Sequence, residues 1–402
     1  MREHIAVVDL GYGDAGKGTV VDALCASNKI KAVLRFNGGA QAGHNVVTED
    51  GRHHTFAQFG SGTLRGVPTH LTRFCVVDPL ALAAEARALG NPYHLLTVDG
   101  DALLATPWHR AANRRRELAR GTHRHGSCGM GIGETMAYAL RVPDAPRIAD
   151  TLRPATLRRR LAGVRDALGD CEYPLDDVVD AFTAFARTVR VVDSTHTDRL
   201  LAEGPCVFEG AQGVLLDEWY GWHPHTTWST TTFDNVAALC PSFRRIGVVR
   251  TYTTRHGAGP FVTEAPDLDL PEPHNGRDAW QGTFRIGHFD AVAHRYAVEV
   301  AGGVDGLGVT HLDAPERCPG LRVCRSYRID GELWDRIAPG PPRDLVHQER
   351  ITNRLLRARP GDLHRPEDWS AEISDLLGAP VILESRGPRS VDKTFTAVPV
   401  VA

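Results

Sequence analysis

Lysine is scarce in this chain of 402 residues: it supplies four of the 46 basic side chains, at Lys17, Lys29, Lys31 and Lys393, and arginine the rest. A sequence that uses arginine almost everywhere yet puts lysine inside a glycine loop points to a site that needs a compact ammonium, where a planar guanidinium would not fit. Long apolar runs are missing as well. None approaches the roughly 20 residues of a membrane span, and Met1-Arg2-Glu3-His4 leads straight into a short apolar strand without a signal-peptide pattern, so a cytoplasmic protein with no membrane partner is expected. A net charge of -3 and 24% charged residues leave no basic tail for nucleic acid. The eight cysteines include no C-x-x-C pair, and reduced thiols are expected. The pairs His123/His125 and His223/His225 have no third ligand at zinc spacing, so no structural metal is expected there.

What is present reads as an α/β enzyme. Ile5 to Leu10 is an apolar, β-branched strand, Gly11 to Gly18 a loop, and Thr19 to Cys25 the start of a helix. Further buried strands are predicted at Ala32 to Phe36, Cys206 to Glu209, Ile246 to Val249, Leu307 to Thr310 and Val381 to Glu384, several of them ending in polar or glycine-rich segments. Ligands gather at such carboxyl ends in open parallel sheets. Leu80 to Leu89, Arg110 to Arg120 and Ala155 to Arg190, interrupted near Cys171 to Pro174, read as covering helices. No linker or repeat divides the chain, so one domain spanning residues 1–402, with lobes, is expected.

The strongest local signal is Gly11-Tyr12-Gly13-Asp14-Ala15-Gly16-Lys17-Gly18-Thr19 between strand and helix. Glycines let backbone N–H groups close around phosphate oxygens, the helix N-terminus favours negative charge, and Lys17 adds a mobile cation. The loop is nearly a P-loop, but Gly18 stands where that pattern has the magnesium-holding Ser or Thr, which makes Asp14 the replacement metal ligand. A second loop, Arg35-Phe36-Asn37-Gly38-Gly39-Ala40-Gln41-Ala42-Gly43-His44-Asn45, follows the next strand. Asp14 and His44 together offer an acid/base pair beside phosphate-binding backbone.

These blocks resemble the adenylosuccinate synthetase family, as do Phe208-Glu209-Gly210-Ala211-Gln212-Gly213, Thr254-Arg255-x-Gly257-Ala258-Gly259-Pro260-Phe261-x-Thr263-Glu264, Thr310-x-Leu312-Asp313 and Ser385-x-Gly387-Pro388, in the family's order. The resemblance implies a P-loop-like, mostly parallel central sheet flanked by helices, with extra helical and small β lobes. It implies a homodimeric purine-biosynthesis ligase that uses GTP as co-substrate and Mg2+ as cofactor. In the implied reaction Asp14 removes the N1 proton of a 6-oxopurine nucleotide, O6 attacks the γ-phosphate of GTP, and an amine then displaces phosphate. His44 would assist the transfer, and Asp14 with the Gly43 carbonyl would hold magnesium. Lys17 and the backbone of Gly13, Ala15, Gly16, Gly18 and Thr19, with Asn45, would hold the phosphates. Asn37, Gln41, Ala42, Cys128, Gln212 and Thr227 match positions that hold the nucleotide substrate, Gln212 within the catalytic set. His311, Leu312, Asp313, Ser385, Arg386 and Gly387 match the guanine pocket, where a carboxylate accepts from guanine N1 and N2. The structural alternative for Asp313 is a helix cap.

The chain departs from the family pattern in three places. The second loop has Ala40-Gln41 where the family has His-Asn, and Ser127-Cys128 stands for two threonines. Arg141 and Arg147 are the candidates for the arginine the family contributes across its dimer. The amino-donor loop, Trp280-Gln281-Gly282-Thr283-Phe284-Arg285, has lost a Thr-Thr-Gly and several arginines, leaving Arg285, with Arg277 nearby, to clamp a carboxylate. Two enzymatic readings therefore stand: an orthodox enzyme using inosine monophosphate and aspartate, or a specialised relative, in modified-nucleoside biosynthesis, with another donor or acceptor. A catalytically silent nucleotide-binding regulator is the third, opposed by retention of Asp14, Lys17, His44 and Gln212 together.

Overall fold

The runs that lack polar interruption become the middle of one sheet. The computed structural model describes residues 3–121, 124–272, 275, 277–278 and 280–396. Its central strands are Ile5–Asp9 (β1), Ala32–Arg35 (β2), Thr69–Leu71 (β3), Leu96–Asp99 (β4), Arg190–Val192 (β5), Cys206–Glu209 (β6), Arg244–Arg250 (β7), Gly306–Thr310 (β8), Val381–Ser385 (β9) and Lys393–Phe395 (β10). They lie in the order β10-β9-β8-β7-β1-β6-β2-β3-β4-β5. Every neighbouring pair is parallel except β9 with β10. Strands β1, β2, β6 and β8 are buried along their whole length, as expected for a sheet covered on both faces.

The predicted strands are all there. The sequence reading missed β3, β4, β5 and β10, which are short and carry polar residues. Their polarity is satisfied internally: His70 of β3 is buried with one ring nitrogen 3.0 Å from Thr97 Oγ1 and the other 3.1 Å from Thr197 Oγ1. The helix after the phosphate loop, Lys17–Ser27 (α1), starts two residues before the predicted Thr19. Gly16 at φ 96°, in the left-handed region that suits glycine, turns the chain directly into it. Covering helices occupy Pro79–Ala88, Pro107–Ala119, Pro154–Leu168 and Leu175–Thr188. Two of them are capped: Asp78 accepts from Leu80 N and Ala81 N, and Thr106 from His109 N. Trp108, Leu157, Leu161 and Phe182 fill the core beneath these helices, beside β4.

Two antiparallel ribbons rise from the sheet's carboxyl edge. His44–Val47 pairs with His53–Phe56 directly after the second loop. Thr253–His256 pairs with Gly282–Gly287 after β7, and its register sets Arg255 opposite Arg285 and His256 opposite Phe284. Among the described residues no helix is long and apolar enough to cross a membrane.

Candidate active site

The predicted loops converge at the carboxyl ends of β1, β2, β6, β7, β8 and β9. At the end of β1, Asp9 braces the phosphate loop from behind: its Oδ1 accepts from Gly11 N (2.8 Å) and Gly13 N (3.2 Å), and its Oδ2 from Ala15 N (2.6 Å). The Lys17 ammonium is fully buried, 3.3 Å from Asp9 Oδ2 and donating to the Gly13 carbonyl at 2.7 Å. The loop is tied to the rest of the edge by Thr310 Oγ1 on the Ala15 carbonyl (2.7 Å) and Arg250 Nε on the Asp14 carbonyl (2.5 Å). Thr19 Oγ1 donates to the Pro388 carbonyl (2.7 Å), bringing the segment after β9 onto α1. The first N–H groups of α1 have no partner within the helix and carry its positive end, the arrangement that attracts phosphate.

Gly18 now has a reason beyond its departure from the P-loop pattern. A Cβ there would stand 2.7 Å from the His44 Cβ and 3.1 Å from Ser61 Oγ. The missing side chain lets α1 touch the His44 ribbon, so the two predicted loops meet. Gly18→Ser, which would restore the usual P-loop residue, is therefore expected to lower turnover at least tenfold and to cost about 1–3 kcal/mol by overpacking. Steady-state phosphate release and urea denaturation measure the two effects.

His44 lies on a ribbon strand rather than in a flexible loop, and its partner is a residue to which the sequence reading gave no role. Its Nδ1 is 2.7 Å from Glu209 Oε1, at the end of β6. Ser61 N donates to the other Glu209 oxygen at 3.0 Å, and the Ser61 hydroxyl to the first. Burial pushes His44 down, against the opposing pull of Glu209. Burial works upward on Glu209, but His44, Arg35 and Ser61 outweigh it and hold the carboxyl low. At neutral pH the pair is an ionised carboxylate receiving Nδ1–H from a neutral imidazole, which leaves Nε2 as the ring's other hydrogen-bonding atom.

Asp14 is partly exposed, with Oδ2 3.4 Å from His256 Nδ1. Burial raises its affinity for a proton, but the hydrogen bond and charge of His256, then Arg250 and Lys17, hold the carboxyl below its ordinary range. Residues 17 and 18 tie the two predicted acid/base groups together: Lys17 holds the turn that bears Asp14 through the Gly13 carbonyl, and Gly18 packs against His44. Gln212 completes the cluster. It adopts φ 58°, uncommon for a residue with a side chain, its backbone packs against Gly13, and both polar atoms of its buried carboxamide lack a partner. Strain together with unmet hydrogen bonding makes Gln212 a candidate ligand contact. Gln41 Oε1 is another buried acceptor without a partner.

Other predicted residues are held in different ways. Asn37 spends its amide on the Ala211 and Thr230 carbonyls and on Ala211 N, so it fixes the Gln212 turn. Asp313 stands at the N-terminus of Ala314–Arg317 but makes no side-chain cap; its Oδ2 receives Arg317 Nη2 at 2.7 Å. His311 has φ 57°, and Leu312 N donates to the Ser385 carbonyl, so the segments after β8 and β9 meet. Ser385 Oγ donates to the Gly387 carbonyl, and Arg386 Nη1 reaches the Leu312 carbonyl at 3.4 Å. Thr227 is partly buried, its N–H on the Leu216 carbonyl. Cys128 is partly exposed in the loop before Gly129, and Trp280 covers that glycine. Arg147 donates to the Asp101 carbonyl and Arg141 to that of Ala137, so both lie along their own surfaces. His123 falls outside the described residues, while His125 and His225 sit ring to ring at 6.2 Å.

Arg285 departs most from expectation. Nε and Nη2 form a two-pronged pair with Glu264 (3.0 and 2.6 Å), while Nη1 donates to the Gly257 and Gly259 carbonyls, both at 3.0 Å. A magnesium ion takes oxygen donors and keeps several waters or phosphate oxygens, and the partly exposed Asp14 carboxylate is an oxygen donor of that kind. Among the described residues no group of three His, Cys, Asp or Glu could hold a metal alone, so substrate oxygens would complete its shell.

Comparison with known proteins identifies the family. The family model for adenylosuccinate synthetase matches residues 6–356. Adenylosuccinate synthetase of Synechococcus elongatus is 34% identical over 98% of this chain and 94% of its own length. That of Alkalilimnicola ehrlichii is 33% identical over 96% of each. Among solved structures, fully ligated adenylosuccinate synthetase from Plasmodium falciparum superposes with a TM-score of 0.82 at 20% identity, covering 98% of this chain and 100% of that one. Succinoaminodeoxyadenylate synthetase of cyanophage S-2L, bound to dGMP and to dATP as energy donor, gives a TM-score of 0.64 at 21% identity over 99% and 96%. The chain belongs to the adenylosuccinate synthetase family of GTP-dependent ligases that form C–N bonds.

Proposed function

We propose that the chain phosphorylates the 6-oxo group of a purine nucleotide, inosine monophosphate or a close relative, with GTP and then exchanges that phosphate for an amine. The carrying observation is the unpartnered Gln212 carboxamide, buried beside the turn that bears Asp14 and on the side of the loop that leads to His44. A 6-oxopurine offers adjacent donor and acceptor groups along one edge, which such an amide and an ionised carboxylate suit. Asp14 takes the N1 proton, and the electron pair moves to O6, which attacks the γ-phosphorus as GDP leaves. His44, oriented by Glu209, directs Nε2 at the charge that develops on the transferring group, and Lys17 turns from the Gly13 carbonyl to the phosphates. A magnesium ion held by Asp14 and the Gly43 carbonyl would neutralise triphosphate charge. The amine then attacks C6 and inorganic phosphate departs.

The test is phosphate release from GTP with a panel of 6-oxopurine nucleotides and amines, products being read by mass. The panel includes dGMP, to which the phage neighbour is bound. The expected product weighs the nucleotide plus the amine less one water. Phosphate release that does not depend on the nucleotide would sink the reading.

Asp313 supports the choice of guanine. One carboxylate can accept from guanine N1–H and N2–H, and adenine has no such donor pair. Asp313→Asn is expected to lower kcat/KM for GTP about 100-fold while changing that for ATP less than threefold. Equal losses with both nucleotides would remove Asp313 from base recognition and leave it as a partner of Arg317.

A further inference from the structure

The ribbon formed by Thr253–His256 and Gly282–Gly287 reaches the Asp14 carboxylate through His256, and its two faces differ in chemistry. Residues opposite one another across an antiparallel pair share a face, and successive residues alternate. His256 and Phe284 are opposite, their rings edge to face at 4.7 Å, and His256 Nδ1 is the group that meets Asp14 Oδ2. Arg255 and Arg285 are opposite on the other face. The guanidinium expected to clamp a donor carboxylate is thus on the side of the ribbon away from Phe284.

It is also engaged. Of the five N–H groups of Arg285, four are directed at Glu264, Gly257 and Gly259, and its guanidinium lies 5.2 Å from the Phe261 ring centroid. Arg255 is buried over the Tyr12 ring at 4.3 Å, with its donors on the Ala258, Pro260 and His225 carbonyls. A substrate carboxylate that recruited Arg285 would have to displace Glu264 and leave that carboxylate facing its own like charge, an exchange with no net gain.

We propose that this site takes a primary amine with an uncharged, apolar or aromatic body and no side-chain carboxylate, selected by the Phe284–His256 face and by the Arg285–Glu264 pair. The inference rests on the ligase reading above and names its donor. The phosphoryl step is read separately by scrambling of a β,γ-bridging oxygen-18 label in GTP, with nucleotide and magnesium but no amine. The full chain is then offered L-aspartate, L-glutamate, L-alanine, ammonia, butylamine and benzylamine, and products are weighed. Expected is label scrambling, a kcat/KM for the best amine without a side-chain carboxylate at least tenfold above that for aspartate, and a fall of at least fivefold in that ratio in Phe284→Ala, which removes the aromatic half of the face that meets the donor. A ratio below tenfold, an unchanged ratio in Phe284→Ala, or scrambling that no amine converts to product overturns the donor assignment and leaves the ligase reading standing. Absence of both scrambling and phosphate release with every nucleotide removes both.

Discussion

Asp14→Asn is expected to lower turnover by about three orders of magnitude while leaving the fold intact, because a positioned general base contributes about 10²- to 10⁴-fold. Asparagine keeps the shape of the side chain and can still pair with His256, which lies 3.4 Å from Oδ2 in the native site. It cannot accept the N1 proton, and its neutral amide is a poorer magnesium ligand. The surroundings show why the native residue serves at neutral pH: His256, Arg250 and Lys17 together overcome its burial and keep it ionised. Oxygen-18 scrambling in GTP should fall in parallel with product formation, since both follow proton removal. Thermal melting within a few degrees of wild type would separate the loss from misfolding. Full turnover in the folded variant would show that proton abstraction has been assigned to the wrong group.

The sequence made the middle of the sheet and the positions of its loops legible because both follow from local pattern. Apolar runs such as Ile5 to Leu10 and Cys206 to Glu209 have no use other than burial, and glycines after them leave room for a ligand. What stayed hidden were interactions between elements far apart in the chain. Glu209 is a charge closing a buried strand, a visible oddity, yet only the parallel pairing of β6 with β2, which carries the chain on to His44, gives it an imidazole to orient. Asp9 sits in the same place on β1 and was equally unassigned, although a carboxylate just before a glycine turn is well placed to gather its N–H groups. His256 lay inside a recognised motif, but its contact with Asp14 depends on how the ribbon folds back over the phosphate loop. For Arg285 the sequence supplied the charge and not its partner. The bridge between Glu264 and Gly287 brings the two segments together, and no spacing rule predicts it.

Glu209→Gln tests the other half of the site. Two of the three contacts that the native carboxylate receives, those from His44 Nδ1 and the Ser61 hydroxyl, fall on one oxygen, and Ser61 N donates to the other. Glutamine can keep one oxygen on Ser61 N, but its NH₂ then confronts His44 Nδ1–H, donor against donor. The imidazole must move its proton to Nε2 or swing away, and either change spoils the donor or acceptor that Nε2 presents to the transferring phosphoryl group. Loss of a carboxylate that fixes a catalytic tautomer has a large effect in other enzymes; about 10²- to 10³-fold in kcat is expected here, with KM for GTP changed less than threefold because the phosphate loop is untouched. The same buried mismatch should cost about 1–3 kcal/mol in urea denaturation. His44→Asn serves as the control, and if Glu209 works through His44 the double variant should be little slower than either single one. A folded Glu209→Gln enzyme within threefold of wild-type kcat would mean that His44 needs no orienting partner, and the carboxylate would then be a structural tie between β6 and Ser61.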